Sequence, residues 1–418
     1  MDFNGIRALV MGKGVSGKGV ADVLGKLGAR VTVREGRTLP ELAGKYDMVA
    51  VSPGLPPDHP IFGEASRLGI EIASDISIGA MLCTAPVIAV TGTNGKTTVV
   101  SMLGAIYDEA GIRAAVCGNI GRSFSECAYA GGYERAVLEL SSFQLLHAGA
   151  LRAHIACILN ITPDHLDYHG SMSAYRAAKI RIADRQTSGD FLLVPGDLDI
   201  SAARGSAEVL REGKDFYADG HLTVMGKRIM PVCDIAVQGA HNVSNALFAA
   251  AAAYADGVQE DAIARALSVF RTGAHRISEA GMCGGTVFYD DSKGTNPAAT
   301  LAAARCMKGN TALIAGGSDK MCDFTDMFER MPRNVTAVFL TGDNAGKMAD
   351  AARRVGGRAV IVCDTLRECV TLSGRGGYDS VLFSPASASF DRYADYAERG
   401  KAFEREIGRL VSGSVGQV

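Results

Sequence analysis

Short apolar runs, many of them β-branched, alternate along this chain with stretches in which apolar residues recur at helical spacing. That alternation predicts parallel sheets flanked by helices, an α/β protein. The predicted strands begin at residues 7–11, 30–33 and 47–51. A second group follows at 87–90, 136–140, 155–159 and 191–194, and a third at 287–289, 311–314, 335–340, 359–362 and 380–383. A proline-bearing junction at 83–86 and a break near 271–273 separate the groups. The domains expected are therefore 1–84, 85–273 and 274–418. Most of the strands end in small or polar residues, and open α/β sheets bind ligands at those ends.

The second group opens on the most informative segment. The strand at 87–90 runs into Thr91-Gly92-Thr93-Asn94-Gly95-Lys96-Thr97-Thr98 and then into an apolar helical pattern. This is the layout of a phosphate-binding loop. Glycines let backbone N–H groups close on phosphate, Lys96 supplies positive charge, and the Thr97 hydroxyl can hold Mg²⁺. The usual first glycine of that pattern is Val90 here, so Gly92 must serve in a tighter turn.

Gly12-Lys13-Gly14-Val15-Ser16-Gly17 also satisfies the dinucleotide fingerprint, with Glu35 beyond the next strand. Alone it suggests a nicotinamide dehydrogenase. The same turn binds any pyrophosphate at a helix N-terminus, and Arg37 beside Glu35 suits another anionic nucleotide. A dehydrogenase has no need of the second nucleotide loop.

Other segments bear on catalysis with alternatives open. Glu139 ends an apolar strand, where an acid is either a Mg²⁺ ligand or simply solvated. Residues 160–169 gather Asp164, His165, Asp167 and His169 in one loop, read as a functional cluster or a capped turn. Lys179 by spacing alone is a solvated helix lysine. Asn242 and Asn245, one turn apart, suit either an adenine edge or a helix cap.

Composition narrows the classes. The chain has 418 residues, 47% hydrophobic and 21% charged, with a formal net charge of −2. That balance gives no electrostatic case for nucleic acid or anionic membrane. No apolar run reaches a membrane span, and the first residues lack an export signal. The ten cysteines form no Cys-x-x-Cys pair and read as reduced thiols, so the expected location is cytoplasmic.

Together these motifs resemble the Mur ligase superfamily, the ATP-dependent amide ligases of peptidoglycan synthesis. The loop at 91–98 and His241-Asn242 are similar to the whole superfamily, folylpolyglutamate synthases included. Segments 139–145, 160–170, 291–296 and 384–391 resemble its D-glutamate-adding branch. The resemblance covers essentially the whole chain. It implies three domains: a Rossmann-like UDP-binding domain, a central P-loop ATPase with a mostly parallel sheet, and a Rossmann-like C-terminal domain that closes over the cleft. It further implies a monomer acting on UDP-MurNAc-L-Ala, D-glutamate and ATP, with two Mg²⁺ ions and a carbamate on Lys179.

The resemblance also implies residue roles. Gly92, Thr93, Asn94, Gly95, Lys96, Thr97 and Thr98 would hold ATP, with Asn245, His275, Arg276, Asp291 and Lys293. Thr97, Glu139, His165 and Lys179 would serve the metals, with Lys96, His165 and Lys179 catalytic. Val15, Ser16, Gly36, Arg37 and Asn119 would meet the UDP-substrate. Thr295, Lys320, Ser389, Phe390 and Tyr396 would surround D-glutamate. The competing classes are another Mur-type or folate-extending ligase, a dehydrogenase, and a non-catalytic binding homologue.

Overall fold

A run of four or five apolar residues can be buried on both faces only inside a parallel sheet covered by helices. The chain uses its runs that way. The computed structural model describes residues 2–237, 239–319 and 322–415, which fall into two compact units, Met1–Phe270 and Arg271–Val418. Among the described residues no helix is long and apolar enough to cross a membrane.

The first unit begins with a parallel sheet of β1 (Arg7–Met11), β2 (Arg30–Arg34), β3 (Met48–Val51) and β4 (Glu71–Ser74), ordered β2-β1-β3-β4. A six-stranded parallel sheet follows: β5 (Val87–Thr91), β6 (Ala114–Gly118), β7 (Arg135–Glu139), β8 (Ile155–Ile158), β9 (Phe191–Val194) and β10 (Glu208–Arg211). Its order is β10-β9-β8-β5-β7-β6. From central β5 the chain goes out to β6, returns to β7 and then crosses to β8 on the other side. The connections therefore diverge at the carboxyl end of β5, which opens a crevice there.

The helix Lys96–Glu109 covers one face of this sheet and packs on the helix Ala240–Ala255, whose run of buried alanines admits close approach. An antiparallel meander of β11 (Phe216–Ala218), β12 (His221–Val224) and β13 (Lys227–Pro231) closes that layer, with Phe216 edge-on to Phe248 at 5.0 Å.

The boundary expected after residue 84 lies between the two parallel sheets yet inside one compact unit. The helix Asp75–Leu82 shows why. Asp75 is buried and accepts hydrogen bonds from Phe124 N (2.9 Å), Ser125 N (3.0 Å) and Ser125 Oγ (2.6 Å), tying this helix to the start of the helix Phe124–Ala130. Burial pushes the Asp75 carboxyl up, and those hydrogen bonds oppose the shift.

The second unit holds β14 (Ser278–Cys283), β15 (Thr286–Asp290), β16 (Thr311–Ala315), β17 (Val335–Leu340), β18 (Ala359–Val362) and β19 (Ser380–Phe383), ordered β14-β15-β19-β16-β17-β18. Only β14 is antiparallel to its neighbour. Inserting β19 between β15 and β16 gathers the loops after all three strands at one edge.

Several strands were not among those expected from the sequence. β6 reads Ala-Ala-Val-Cys-Gly, small residues with little strand preference, and is paired because β7 needs a neighbour. β12 and β13 turn through Met225 and Gly226, both at positive φ (48° and 77°), where methionine gives no turn signal.

Replacing Asp75 with alanine leaves two buried N–H groups without their acceptor. Asp75→Ala should lower the unfolding free energy of the first unit by ~2–3 kcal/mol, measured by denaturant titration. A wild-type midpoint would show the tie to be dispensable.

Candidate active site

The loop after β5 is built on two glycines. Gly92 (φ 159°) and Gly95 (φ 87°) both sit where a side chain would be strained or crowded. A Cβ on Gly92 would lie 3.1 Å from Leu159 Cβ, and one on Gly95 would overlap the Asn245 carboxamide. Asn245 thus packs on the loop from the helix Ala240–Ala255, and its Nδ2 donates to Asn242 Oδ1 at 3.4 Å. Gly95 caps the helix Lys96–Glu109 without a side-chain bond, which leaves a backbone N-terminus suited to an anion.

Asn160, after β8, clamps this loop from across the crevice. Its carbonyl accepts from Thr93 N (2.9 Å) and its Oδ1 from Asn94 N (2.9 Å), while its Nδ2 donates to Asn94 O (3.1 Å). The Thr93 hydroxyl donates to Thr162 O, accepts from Thr162 N, and lies 3.1 Å from Tyr175 Oη. Thr98 is buried one turn into the helix.

Lys96 folds over its own loop, Nζ donating to Gly92 O (2.8 Å) and Thr93 O (2.9 Å). Lys179 reaches the same Gly92 oxygen from the other side at 2.8 Å, with its Nζ 4.7 Å from the Tyr175 ring centroid. It is 1% exposed. Burial, then the charge of Lys96, drive its pKa well below 10.5, against the pull of Asp164 and Glu139. The lysine that spacing alone left in solvent is therefore an interior amine biased toward its neutral form.

On the β7 side, buried Glu139 accepts from Thr97 Oγ1 (2.6 Å) and Asn119 Nδ2 (2.8 Å). On the β8 side, His165 is held at φ 53° with its N–H on Asp164 Oδ1 (2.9 Å). Its ring meets Phe143 edge-on at 4.8 Å and lies 6.4 Å from Tyr175. His169 stacks on Phe143 (5.5 Å) with Nε2 2.9 Å from Ser142 Oγ; burial and then Lys179 lower its pKa. Lys96, Thr97, Asn119, Glu139 and Lys179 thus converge on one crevice, with His165 at its β8 wall. Two oxygen donors from Thr97 and Glu139, side by side, suit Mg²⁺.

Of the residues expected at the nucleotide-sugar, Asn119 lies after β6 against Glu139, and the other four lie along the first sheet. Val15 and Ser16 start the helix Val15–Lys26, and Val15 is 65% exposed. Gly36 (φ 86°) gives its carbonyl to His59 Nε2 at 3.0 Å, and exposed Arg37 pairs with Asp58 at 2.7 Å. Tyr168 Oη donates to Leu55 O (3.1 Å), linking the loop after β3 to the His165 turn.

In the second unit, His275 (φ 62°) hydrogen-bonds Asp290 Oδ2 through Nδ1 at 2.6 Å. Glu404 stands 3.8 Å away, so these three could crowd a cation, but the short His275–Asp290 bond already occupies Nδ1. Asp291 is buried with its Oδ2 on Ser384 Oγ (2.7 Å). Burial raises its pKa from 3.8 to about 7, opposed by Ser384 and then Arg276. Lys293 Nζ donates to Tyr396 Oη (3.2 Å) and lies 4.7 Å from that ring's centroid. Thr295 is half-buried, Ser389 is buried, and Phe390 is 74% exposed. Lys320 lies outside the described residues.

Asn160 and Tyr175 were not singled out beforehand. Tyr175 and Lys179 share a helix face at i and i+4, a spacing that links the two once either is suspected.

Residues 90–253 match the Mur ligase middle domain, and residues 275–387 match the Mur ligase glutamate ligase domain. The chain is 34% identical to the UDP-N-acetylmuramoylalanine–D-glutamate ligase of Caldanaerobacter subterraneus subsp. tengcongensis over 97% of this chain and 99% of that one. It is 38% identical to the enzyme of the same name from Rubrobacter xylanophilus, over 95% of this chain and 92% of that one. Among solved structures, a pseudomurein peptide ligase type C from Methanothermus fervidus shares the fold: TM-score 0.64, 17% identity, 97% of this chain and 100% of that one.

Asp291 gives a pH prediction. Its folded pKa is raised, so the contribution of its protonated form is complete below about pH 4 and is lost as pH rises through about 7. Relative to wild type, Asp291→Asn should gain thermal stability across that window and keep a constant offset above it. Parallel melting curves at acid and neutral pH would contradict the assignment.

Proposed function

The chain belongs to the Mur ligase family, and from that premise we propose that it is an ATP-dependent acid–amino-acid ligase joining D-glutamate to UDP-N-acetylmuramoyl-L-alanine in peptidoglycan precursor synthesis. The same reading makes it a cytoplasmic monomer whose partners are these small-molecule substrates. It assigns residues 1–84 to the nucleotide-sugar, 85–273 to ATP and 274–418 to the amino acid.

The substrate's terminal L-alanine carboxylate is a poor electrophile, since an amine cannot expel oxide from it. Transfer of the γ-phosphoryl group from ATP gives an acyl phosphate and ADP. The D-glutamate amine then adds to that carbonyl, loses a proton, and the tetrahedral intermediate expels phosphate as the amide forms. All reactants are anionic, so the enzyme's work is to concentrate positive charge and hold geometry.

The observation that carries the reading is the convergence of Lys96 and Lys179 on the Gly92 carbonyl beside the Thr97–Glu139 pair. Gly92 and Gly95 let the loop pack tightly against Leu159 and Asn245, and it ends at the N-terminus of the helix Lys96–Glu109, beside the Lys96 ammonium, where an anion is favoured. Thr97, Glu139 and His165 are the residues that would hold Mg²⁺, two ions in this reading, which screen the phosphates and polarise the transferring group when bound. Asn245 faces the nucleotide from the helix Ala240–Ala255, while Arg276, Asp291 and Lys293 serve ATP from the second unit. Val15, Ser16, Gly36, Arg37 and Asn119 hold the UDP-substrate. Thr295, Lys320, Ser389, Phe390 and Tyr396 hold D-glutamate, for which Lys320 supplies a cation.

Lys179 is the proposed carbamate. Only a neutral amine attacks CO₂, forming the N–C bond and releasing a proton, and burial, then the charge of Lys96, shift Lys179 toward that form. The product is an anion where an ammonium would repel metal.

The direct test is phosphate release from ATP in the presence of UDP-N-acetylmuramoyl-L-alanine and a panel of amino acids. Turnover should require D-glutamate; stimulation only by another amino acid moves the enzyme to a different branch of the family. Lys179→Ala should lose activity by ~10²-fold or more and regain part of it with a small carboxylic acid such as acetate. Failure of that rescue would count against the carbamate.

A further inference from the structure

Arg399 lies in the helix Tyr396–Val415 of the second unit and is 3% exposed. A buried guanidinium ordinarily pairs with a carboxylate. This one is held instead by neutral oxygens: Nε donates to Ser292 Oγ (3.1 Å), Nη2 to Ser292 O (2.8 Å), and Nη1 to both Ser387 O and Ala388 O (3.0 Å each). Four of its five N–H groups are used. Burial lowers its pKa to about 10, where it still carries its charge at neutral pH.

The partners are not arbitrary. Ser292 stands between Asp291 and Lys293, assigned above to ATP. Ala388 precedes Ser389 and Phe390, assigned to the amino acid. These loops follow β15 and β19, neighbouring strands of one sheet. They touch each other through Ala386 N to Gly294 O (2.8 Å) and Ser384 Oγ to Asp291 Oδ2 (2.7 Å).

The surroundings keep the guanidinium in place. The Ser292 hydroxyl donates onward to Tyr396 O (2.8 Å), Asn344 Nδ2 donates to Ser387 Oγ (2.6 Å), and a Cβ on Gly317 (φ 151°) would come 3.0 Å from Nη1. Gly400, the next residue, has no side chain because the His275 ring fills that space.

We propose that Arg399 is a positioning residue that fixes the ATP-side loop 291–295 and the amino-acid-side loop 384–391 in one register, through the backbone, without itself touching substrate. A planar fork meets carbonyls of both loops at once, which a lysine ammonium on a flexible stem does not. An interior charge hydrogen-bonded only to neutral groups, with Asp391, Asp290 and Asp291 acting on it from outside hydrogen-bond contact, is a poor way to gain stability. It is a direct way to hold two loops at fixed spacing, and reacting groups misplaced by an ångström lose ~10²-fold in rate.

This inference rests on the ligase reading for the roles of the two loops, and its test separates the two. Arg399→Lys keeps the charge and Arg399→Met keeps the bulk without it. In both full-length variants, hydrogen exchange should rise in segments 291–295 and 384–391 while β16 and β17 keep wild-type protection. KM for ATP and for D-glutamate should each rise by ~10-fold or more, with neither restored by the lysine. Wild-type exchange in both loops, or a lowered melting temperature with unchanged KM values, overturns the proposal. If either variant fails to fold, the other decides; if both fail, the residue is a stability element and the proposal falls. Wild-type enzyme inert toward D-glutamate would refute the substrate reading, and the exchange data would still decide the role of Arg399.

Discussion

Two lysine nitrogens share the carbonyl oxygen of Gly92, and the rest of the candidate site depends on that arrangement. Like charges a few ångströms apart interact by several kcal/mol at the effective dielectric of a protein site, ~4 kcal/mol at 4 Å. Lys96 is only partly buried and sits at a helix N-terminus, where an anion would be welcome. Lys179 is sealed among Tyr175, the Gly92 loop and the wall of the helix Met172–Ile180. Burial, and after it that repulsion, therefore lower the pKa of Lys179 well below that of an ordinary lysine. In the proposed reading Lys96 is the cation that meets phosphate and Lys179 the amine that takes up CO₂.

Sheet order sets up the encounter. β5 lies between β7 and β8, so the loop at 92–95 has Glu139 on one side and the segment from Asn160 to His169 on the other. Asn160 fixes the loop through its side-chain amide, and the Thr93 hydroxyl joins it to Thr162 and Tyr175. Glycine at 92 and 95 makes room for this contact network. The second unit repeats the device at the ends of β15 and β19, where a buried arginine takes the part that Asn160 takes in the first.

Much of this was legible beforehand because it is local. Apolar runs marked the strands that become sheet centres, and the turn from Gly92 to Thr98 carries its own phosphate-loop chemistry. What stayed hidden is what tertiary structure decides. Lys179 shows only helical spacing in sequence, and its environment comes from a loop 87 residues earlier in the chain. Arg399 is one more arginine in an amphipathic helix until the sheet brings Ser292 and Ser387 to it. β6 has almost no strand signal and is formed by its neighbour. Asp75 makes the first two sheets one compact unit through bonds to residues 49 and 50 positions away, which composition near the junction does not reveal.

The most direct measurement is carbon-13 NMR of the full-length protein equilibrated with ¹³C-labelled bicarbonate and Mg²⁺ near neutral pH. A lysine whose pKa is lowered by burial and by its cationic neighbour should give a protein-bound carbamate resonance that is absent from Lys179→Ala. If the wild-type spectrum shows no such resonance at saturating bicarbonate, Lys179 is not carbamylated, and the division of labour between the two lysines at Gly92 is wrong.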